Sequence, residues 1–214
     1  MDSKKKKRGC LKIKITNLII ILALFVGGCA VPFETAGTKN VGEPEFIVGY
    51  TAPLTFTAKS DIGVTGYTDL GIGLDMAGLF LGNDPVLCFY GTGKQKILSF
   101  GKNPHFNLLV SATCGIVASD LNPENIPYYR YTLLLGIKDG KNSNIGLVFG
   151  IGFMQDPRYS WEIMHEEFSE ETHLHTVMGA ENKKFIFQIQ TAFKGKDSDR
   201  DRDGLISFGF GFKL

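Results

Sequence analysis

The closing stretch Ile206-Ser207-Phe208-Gly209-Phe210-Gly211-Phe212-Lys213-Leu214 alternates without a break. Successive β side chains point to opposite faces, so Ile206, Phe208, Phe210, Phe212 and Leu214 share one face. Ser207, Gly209, Gly211 and Lys213 share the other. The contrast recurs upstream. Ile145, Leu147, Phe149, Ile151 and Phe153 alternate with Gly146, Val148, Gly150, Gly152 and Met154. Phe185, Phe187, Ile189 and Phe193 alternate with Gln188, Gln190 and Ala192. Tyr131, Leu133, Leu135 and Ile137 alternate with Arg130, Thr132, Leu134 and Lys138, and Leu70, Ile72, Leu74 and Met76 with Gly71, Gly73, Asp75 and Ala77. From Glu45 onward no long helical period interrupts this pattern, and an all-β domain is expected.

The small face decides which kind. A soluble sandwich would bury the large residues across a core about 10 Å thick and turn polar side chains to water. Here the second face is mostly Gly, Ala, Ser and Thr with scattered charges and amides. Glycine weakens a strand unless the space is needed. Small residues suit the crowded interior of a narrow barrel, and bulky apolar ones suit a lipid-facing exterior. The expectation is an antiparallel up-and-down β-barrel of the inside-out, transmembrane type. A soluble lipocalin-like barrel with the apolar face inward, binding a lipophilic ligand and tethered to a membrane, is the alternative. The directions of Phe149, Phe187 and Phe210 discriminate between them.

Ten strands are expected, at 45–52, 58–67, 69–81, 85–98, 104–118, 127–138, 144–154, 172–180, 183–194 and 204–214, with eight or twelve as neighbouring counts. Most reach the ~9–11 residues that a tilted transmembrane strand needs. Connections after strands two, four, six and eight read as short. Those after five (Ser119 to Ile126), seven (Gln155 to Glu171) and nine (Gly195 to Asp203) read as long and polar, and Gly82-Asn83-Asp84 after strand three breaks the pattern. Long loops on one rim and tight turns on the other are typical of outer-membrane barrels. The short rim, the N-terminal tether and the C-terminus would face the periplasm. Ten strands enclose little beyond their own side chains, so a wide pore is not expected.

The chain has 214 residues, 43% of them hydrophobic, and a formal net charge of +1. That balance hides an asymmetry. Residues 1–28 hold seven Lys/Arg and one acid, leaving 16 basic against 21 acidic residues in the remainder, a net of −5. Such a domain lacks the basic face that a nucleic-acid partner requires. The lysine run precedes nine apolar residues, Leu18 to Val26. As a helix these rise about 13 Å, too little to span a hydrocarbon core of ~30 Å. A positive segment, a short apolar segment and then small residues describe an export signal.

Val26-Gly27-Gly28-Cys29 resembles the bacterial lipobox. The resemblance implies cleavage before Cys29 and acylation of that cysteine, palmitate included, with ~0.8 kcal/mol of membrane retention per buried CH₂. Residues 1–28 then form a lipoprotein signal peptide, 29–44 a lipidated tether and 45–214 the barrel domain. Phe208, Phe210, Phe212 and Leu214 resemble the terminal strand signal of Gram-negative outer-membrane barrels, departing from it by ending in leucine rather than an aromatic. That resemblance implies recognition by the barrel-assembly machinery. Gly66 to Leu74 resembles a periplasmic hairpin of small barrels. Together these imply a bacterial lipoprotein carrying a small outer-membrane β-barrel, a monomer in contact with outer-membrane lipids, with no cofactor beyond the covalent lipid.

Chemistry-bearing groups are few. Asp199, Asp201 and Asp203, followed by Gly204, resemble part of a calcium loop, but a glutamate is missing at the twelfth position and Arg200 and Arg202 offset the charge. A solvated hairpin tip is the plainer reading. Trp161, Met164 and Phe168 sit at helical spacing behind Ser160. His173 and His175 share a strand face near Glu170 and Glu171. No Cys/His spacing suits zinc, and no nucleophile–base pair is evident, so a non-enzymatic envelope role is expected, with interactions through loops 155–171 and 195–203. Asp75, Lys96, Arg130 and Lys138 are candidates for an inward charge network. Cys88 and Cys114 stand equally far from Gly101, where the fourth and fifth strands are expected to turn. That register makes them cross-strand neighbours, bonded only if the pair occupies a closer, non-hydrogen-bonded site; two unbonded small hydrophobes in the wall are the plainer reading.

Overall fold

The computed structural model describes residues 33–51, 55–77, 86–102, 104–119, 122–138, 145–155, 172–193 and 205–214. They form ten strands: β1 (Pro44–Thr51), β2 (Thr55–Thr65), β3 (Thr68–Ala77), β4 (Val86–Phe100), β5 (His105–Ser119), β6 (Asn122–Lys138), β7 (Gly146–Gln155), β8 (Thr172–Glu181), β9 (Phe185–Phe193) and β10 (Leu205–Lys213). Each pairs antiparallel with its sequence neighbours, and β1 pairs with β10 from Ile47↔Lys213 to Thr51↔Gly209, closing an up-and-down barrel. The strand count and order match the alternation read from the sequence. Two connections differ. β6 starts at Asn122, so the link after β5 is short, and β3 ends at Ala77 and β4 starts at Val86, so the link after β3 spans 78–85.

The polarity is inverted. Phe149, Phe187 and Phe210 point outward, with Leu70, Ile72, Leu133, Ile151 and Phe153. Lys59, Asp61, Asp69, Asp75, Lys94, Arg130, His175, Glu181 and Gln188 are buried inside. Aromatic residues mark both ends of the outer wall. Phe46, Phe100, Phe185 and Phe212 ring the tight-turn end, and Phe56, Phe89, Phe153 and Phe193 the other. On β9 the two belts are eight residues apart, about 26 Å along the strand and roughly 20 Å along the axis at a 40° tilt.

The two cysteines are not neighbours. Cys88 opposes Val117 and Cys114 opposes Gly91, and neither forms a disulfide, Cys88 lying buried and Cys114 exposed. The hairpin turns further along than Gly101, between Phe100 and His105. That displacement alone would have kept both on one face. A register shift between Lys96 and Leu98 adds one residue to one strand and flips the parity.

The larger departure concerns the tether. Residues 33–37 do not lie outside the barrel. Phe33, Glu34, Thr35 and Ala36 are among its most buried residues, at 1%, 1%, 3% and 0% exposure. The segment threads the lumen, and Ala36 completes an internal cluster with Leu109, Leu134, Val148 and Val177. An aperiodic sequence reads as linker because it makes no strand ladder of its own, yet inside a closed wall it is enclosed on every side.

Candidate functional site

The lumen is the site, and its occupant is the protein's own N-terminal segment. The path starts at the tight-turn rim. Gly42 N donates to Gly63 O (2.7 Å), Gly63 N donates to Glu43 O (3.2 Å), and the Thr38 hydroxyl donates to Gly66 O (3.1 Å). Lys39 lies just inside. Its ammonium is 2.8 Å from Glu45 and 4.0 Å from Asp69, and its backbone N donates to Asp69 Oδ1 (2.9 Å). Burial pulls the Lys39 pKa down, but Glu45 and, behind it, Asp61 and Asp69 outweigh that, and the net shift is upward.

Deeper in, wall side chains take the place of a sheet ladder. Ala36 N donates to Glu181 Oε1 (3.0 Å), and Asn107 Nδ2 donates to Ala36 O (3.2 Å). Glu34 N donates to Gln188 Oε1 (3.1 Å), and the same amide's Nε2 donates back to Glu34 O. Lys59 Nζ donates to Phe33 O (3.1 Å). A buried backbone must find such partners, and here the wall supplies them from four strands, β2, β5, β8 and β9. The segment's side chains are held as well. Glu34 pairs with Arg130, both 1% exposed, and accepts from Ser111 Oγ (2.9 Å). Thr35 Oγ1 accepts from Lys94.

Two glycines show why the inward face is small. A Cβ on Gly136 would stand 1.9 Å from Ala36 O, and one on Gly49 would stand 2.4 Å from the Phe33 ring. The ring packs on Ile47 and Ile186 in the same place, a burial that contributes about 1.5–3 kcal/mol. Chemically, the arrangement holds the backbone of residues 33–36 through wall side chains and fills the lumen with it. No family model, curated protein or solved structure matches the chain.

The residues singled out in the sequence scatter. Arg130 and Asp75 face the lumen, but Arg130 meets Glu34, while Asp75 accepts from Tyr90 OH (3.3 Å). Lys138 lies 3.7 Å from Glu181 and is half exposed, and Lys96 sits 4.9 Å over the Tyr67 ring, so the four do not form one network. His173 and His175 both point inward rather than to solvent, and His175 Nε2 is 2.9 Å from Thr132 Oγ1. Among the described residues no group of three or more His, Cys, Asp or Glu stands together as for a metal. Cys29, Asp199, Asp201, Asp203, Glu170, Glu171 and the 160–168 stretch lie outside the described residues. Sequence reasoning missed the threaded segment altogether. Its trace was the surplus of inward glycine on the first, seventh and tenth strands, more space than ten strands need for themselves.

Beside the segment, at the tight-turn rim, Lys138, Lys183, Lys213, Glu43 and Glu181 line a recess of about 570 Å³. On the outer wall, Phe46, Ile72, Phe89 and Ile116 stand around Ala58, Gly91 and Cys114, enclosing an apolar recess of about 680 Å³.

Proposed function

We propose that the protein is a lipid-anchored barrel of a Gram-negative-type outer membrane, closed by its own N-terminal segment, with a structural or surface-interaction role. The inverted polarity carries this reading. A water-facing domain rarely exposes an apolar patch of more than a few hundred Å², whereas here bulky apolar side chains occupy the outward face of the described strands. The aromatic belts, separated by about the height of a transmembrane apolar band, support it further. Phe210 and Phe212 stand outward on the strand that closes the barrel, and Leu214 follows it, exposed, so the side chains that an assembly factor would read are accessible. A lipocalin-like alternative would need an apolar, vacant interior. The described interior carries Lys59, Asp61, Lys94 and Arg130 and is occupied by residues 33–37.

On this reading the barrel stays in the membrane when its lipid is gone. A Cys29→Ala variant exported through an ordinary signal peptide should remain with the outer-membrane fraction after carbonate and urea washes. Extraction into the supernatant would reduce the protein to a tethered soluble domain.

A further inference from the structure

The tight-turn end of the barrel is basic. From the strand ends outward, its described residues hold seven lysines and three glutamates. Three of the lysines are matched. Lys39 pairs with Glu45 (2.8 Å), Lys213 with Glu181 (2.5 Å), and Lys138 lies 3.7 Å from that same Glu181. Glu43, the third glutamate, accepts from Asn40 N and Nδ2. Asp69 and Lys94, buried further in, offset each other at 3.4 Å. Lys102, Lys183 and Lys184 are exposed, and among the described residues none of them has an ion-pair partner. By sequence, the connections at the other end (78–85, 120–121, 156–171 and 194–204) hold twelve acidic and five basic residues.

The unmatched lysines stand just past the aromatic belt. Lys184 is one residue beyond Phe185 and Lys102 two beyond Phe100, about 3–7 Å along the chain. Such a belt marks the level where hydrocarbon gives way to headgroups. The β8–β9 turn holds its lysines in place: Lys184 N and Phe185 N both donate to Asn182 Oδ1 (2.8 and 2.7 Å), and Lys213 N donates to Lys184 O (2.8 Å). Beside them the rings of Phe185, Phe210 and Phe212 pack at 5.0–5.8 Å on the outer wall. Lys138 and Lys183 also line the polar recess of about 570 Å³ at this rim, which leaves room for a headgroup next to them.

We propose that this rim is a docking surface for anionic phospholipids, their phosphates meeting Lys138, Lys183 and Lys184 and their acyl chains lying on Phe185, Phe210 and Phe212. This rests on the membrane-spanning reading above and not on the lipid at Cys29. Charge complementarity selects the occupant. A lysine beside an anionic leaflet gains an attraction that a zwitterionic leaflet does not supply, and the same headgroups repel an acidic end. The tight turns therefore favour the leaflet richer in anionic phospholipid.

The test reads lipid preference at each end of the wall separately. Trp161→Phe removes the only tryptophan, and Phe185→Trp or Phe193→Trp then places one reporter in the tight-turn belt or in the opposite one. The full chain is reconstituted in vesicles of phosphatidylcholine mixed with phosphatidylglycerol, with bromine on the acyl chains of one lipid at a time as a contact quencher. At the Phe185→Trp end phosphatidylglycerol should be preferred about fivefold, the gain that one lysine supplies at an anionic surface. The Phe193→Trp end should show no such preference. Lys183→Gln/Lys184→Gln should bring the first end down to the level of the second, and high salt should weaken the preference. Glycerol phosphate in solution should leave it unchanged; its loss there would mean a site for free phosphate and overturn the proposal. Equal preference at both ends, or a preference that survives Lys183→Gln/Lys184→Gln, overturns the proposal and leaves the membrane-spanning reading standing. Quenching of neither reporter by either lipid overturns both.

Discussion

The two sides of the lumen are filled in opposite ways. Between β3 and β6 the wall fills itself: Val86, Cys88 and Val117 pack around the Tyr90 and Tyr128 rings, which meet edge-on at 6.4 Å. Across the barrel, the inward face of β1 and β10 is small, and a phenyl ring from residue 33 occupies the space. Side chains of the wall arrive with their strands and lose only rotamer freedom. A threaded segment must also be ordered as backbone, at about 1–2 kcal/mol per residue. That difference explains why polar clamps gather on Phe33 to Ala36. It also makes one side removable and the other not.

The strongest way to break the comparison is to delete residues 33–41. The β3–β6 side keeps its own filling, while the opposite side loses its occupant. Planar-bilayer recording should show silence for the intact protein and a stable conductance for the deletion. Silence from a folded deletion variant would mean that the wall closes itself on both sides.

Next in size is Arg130→Met, which leaves the Glu34 carboxylate buried without its cation. Removing one partner of a buried pair costs about 3–5 kcal/mol. Urea unfolding followed by circular dichroism should show that loss, and Arg130→Met/Glu34→Met should recover most of it. If the double variant is as weak as the single, the guanidinium serves the wall rather than the segment.

Gly136→Ala is milder and sharper. Its methyl group would press on Ala36 O and should cost about 1–3 kcal/mol in the intact chain. In the 33–41 deletion the same substitution should cost almost nothing. Tyr90→Phe, on the self-filled side, removes the hydrogen bond to Asp75 and should cost about 1 kcal/mol with or without the segment. Equal behaviour of the two substitutions in both backgrounds would erase the distinction between the sides.

The smallest effect is on pH. Lys39 is more basic in the folded protein than in the unfolded chain, because the surrounding carboxylates overcome its burial. Its contribution is therefore complete below the ordinary lysine pKa of about 10.4 and is lost as pH rises through the higher folded value. Protection of the 38–43 stretch from an alkaline-active protease should fall above that range in the native protein. Lys39→Met should be less protected throughout and show a shallower alkaline decline.

How far the residues alone reach is clear from particular places. Ile206 to Leu214 show strand, face and polarity in nine residues, because β geometry has a period of two and the environment on each side selects for it. The same holds for Ile145 to Phe153 and Phe185 to Phe193, and it brought ten strands and the outward direction of Phe149, Phe187 and Phe210 within reach. The pairing of Cys88 and Cys114 was out of reach. It turned on one extra residue near Ile97, and a bulge leaves alternation on either side intact while shifting the register between them.

Local periodicity therefore determined which residues form the wall and which way they face, since that depends only on neighbours two positions apart. The tertiary structure alone decided what lies inside. Glu34 meets Arg130 across 96 positions of chain and Gln188 across 154, and no local pattern encodes such a contact. Residues 33–37 have no period because their partners are the side chains of a closed wall, and that wall exists only once β1 has paired with β10.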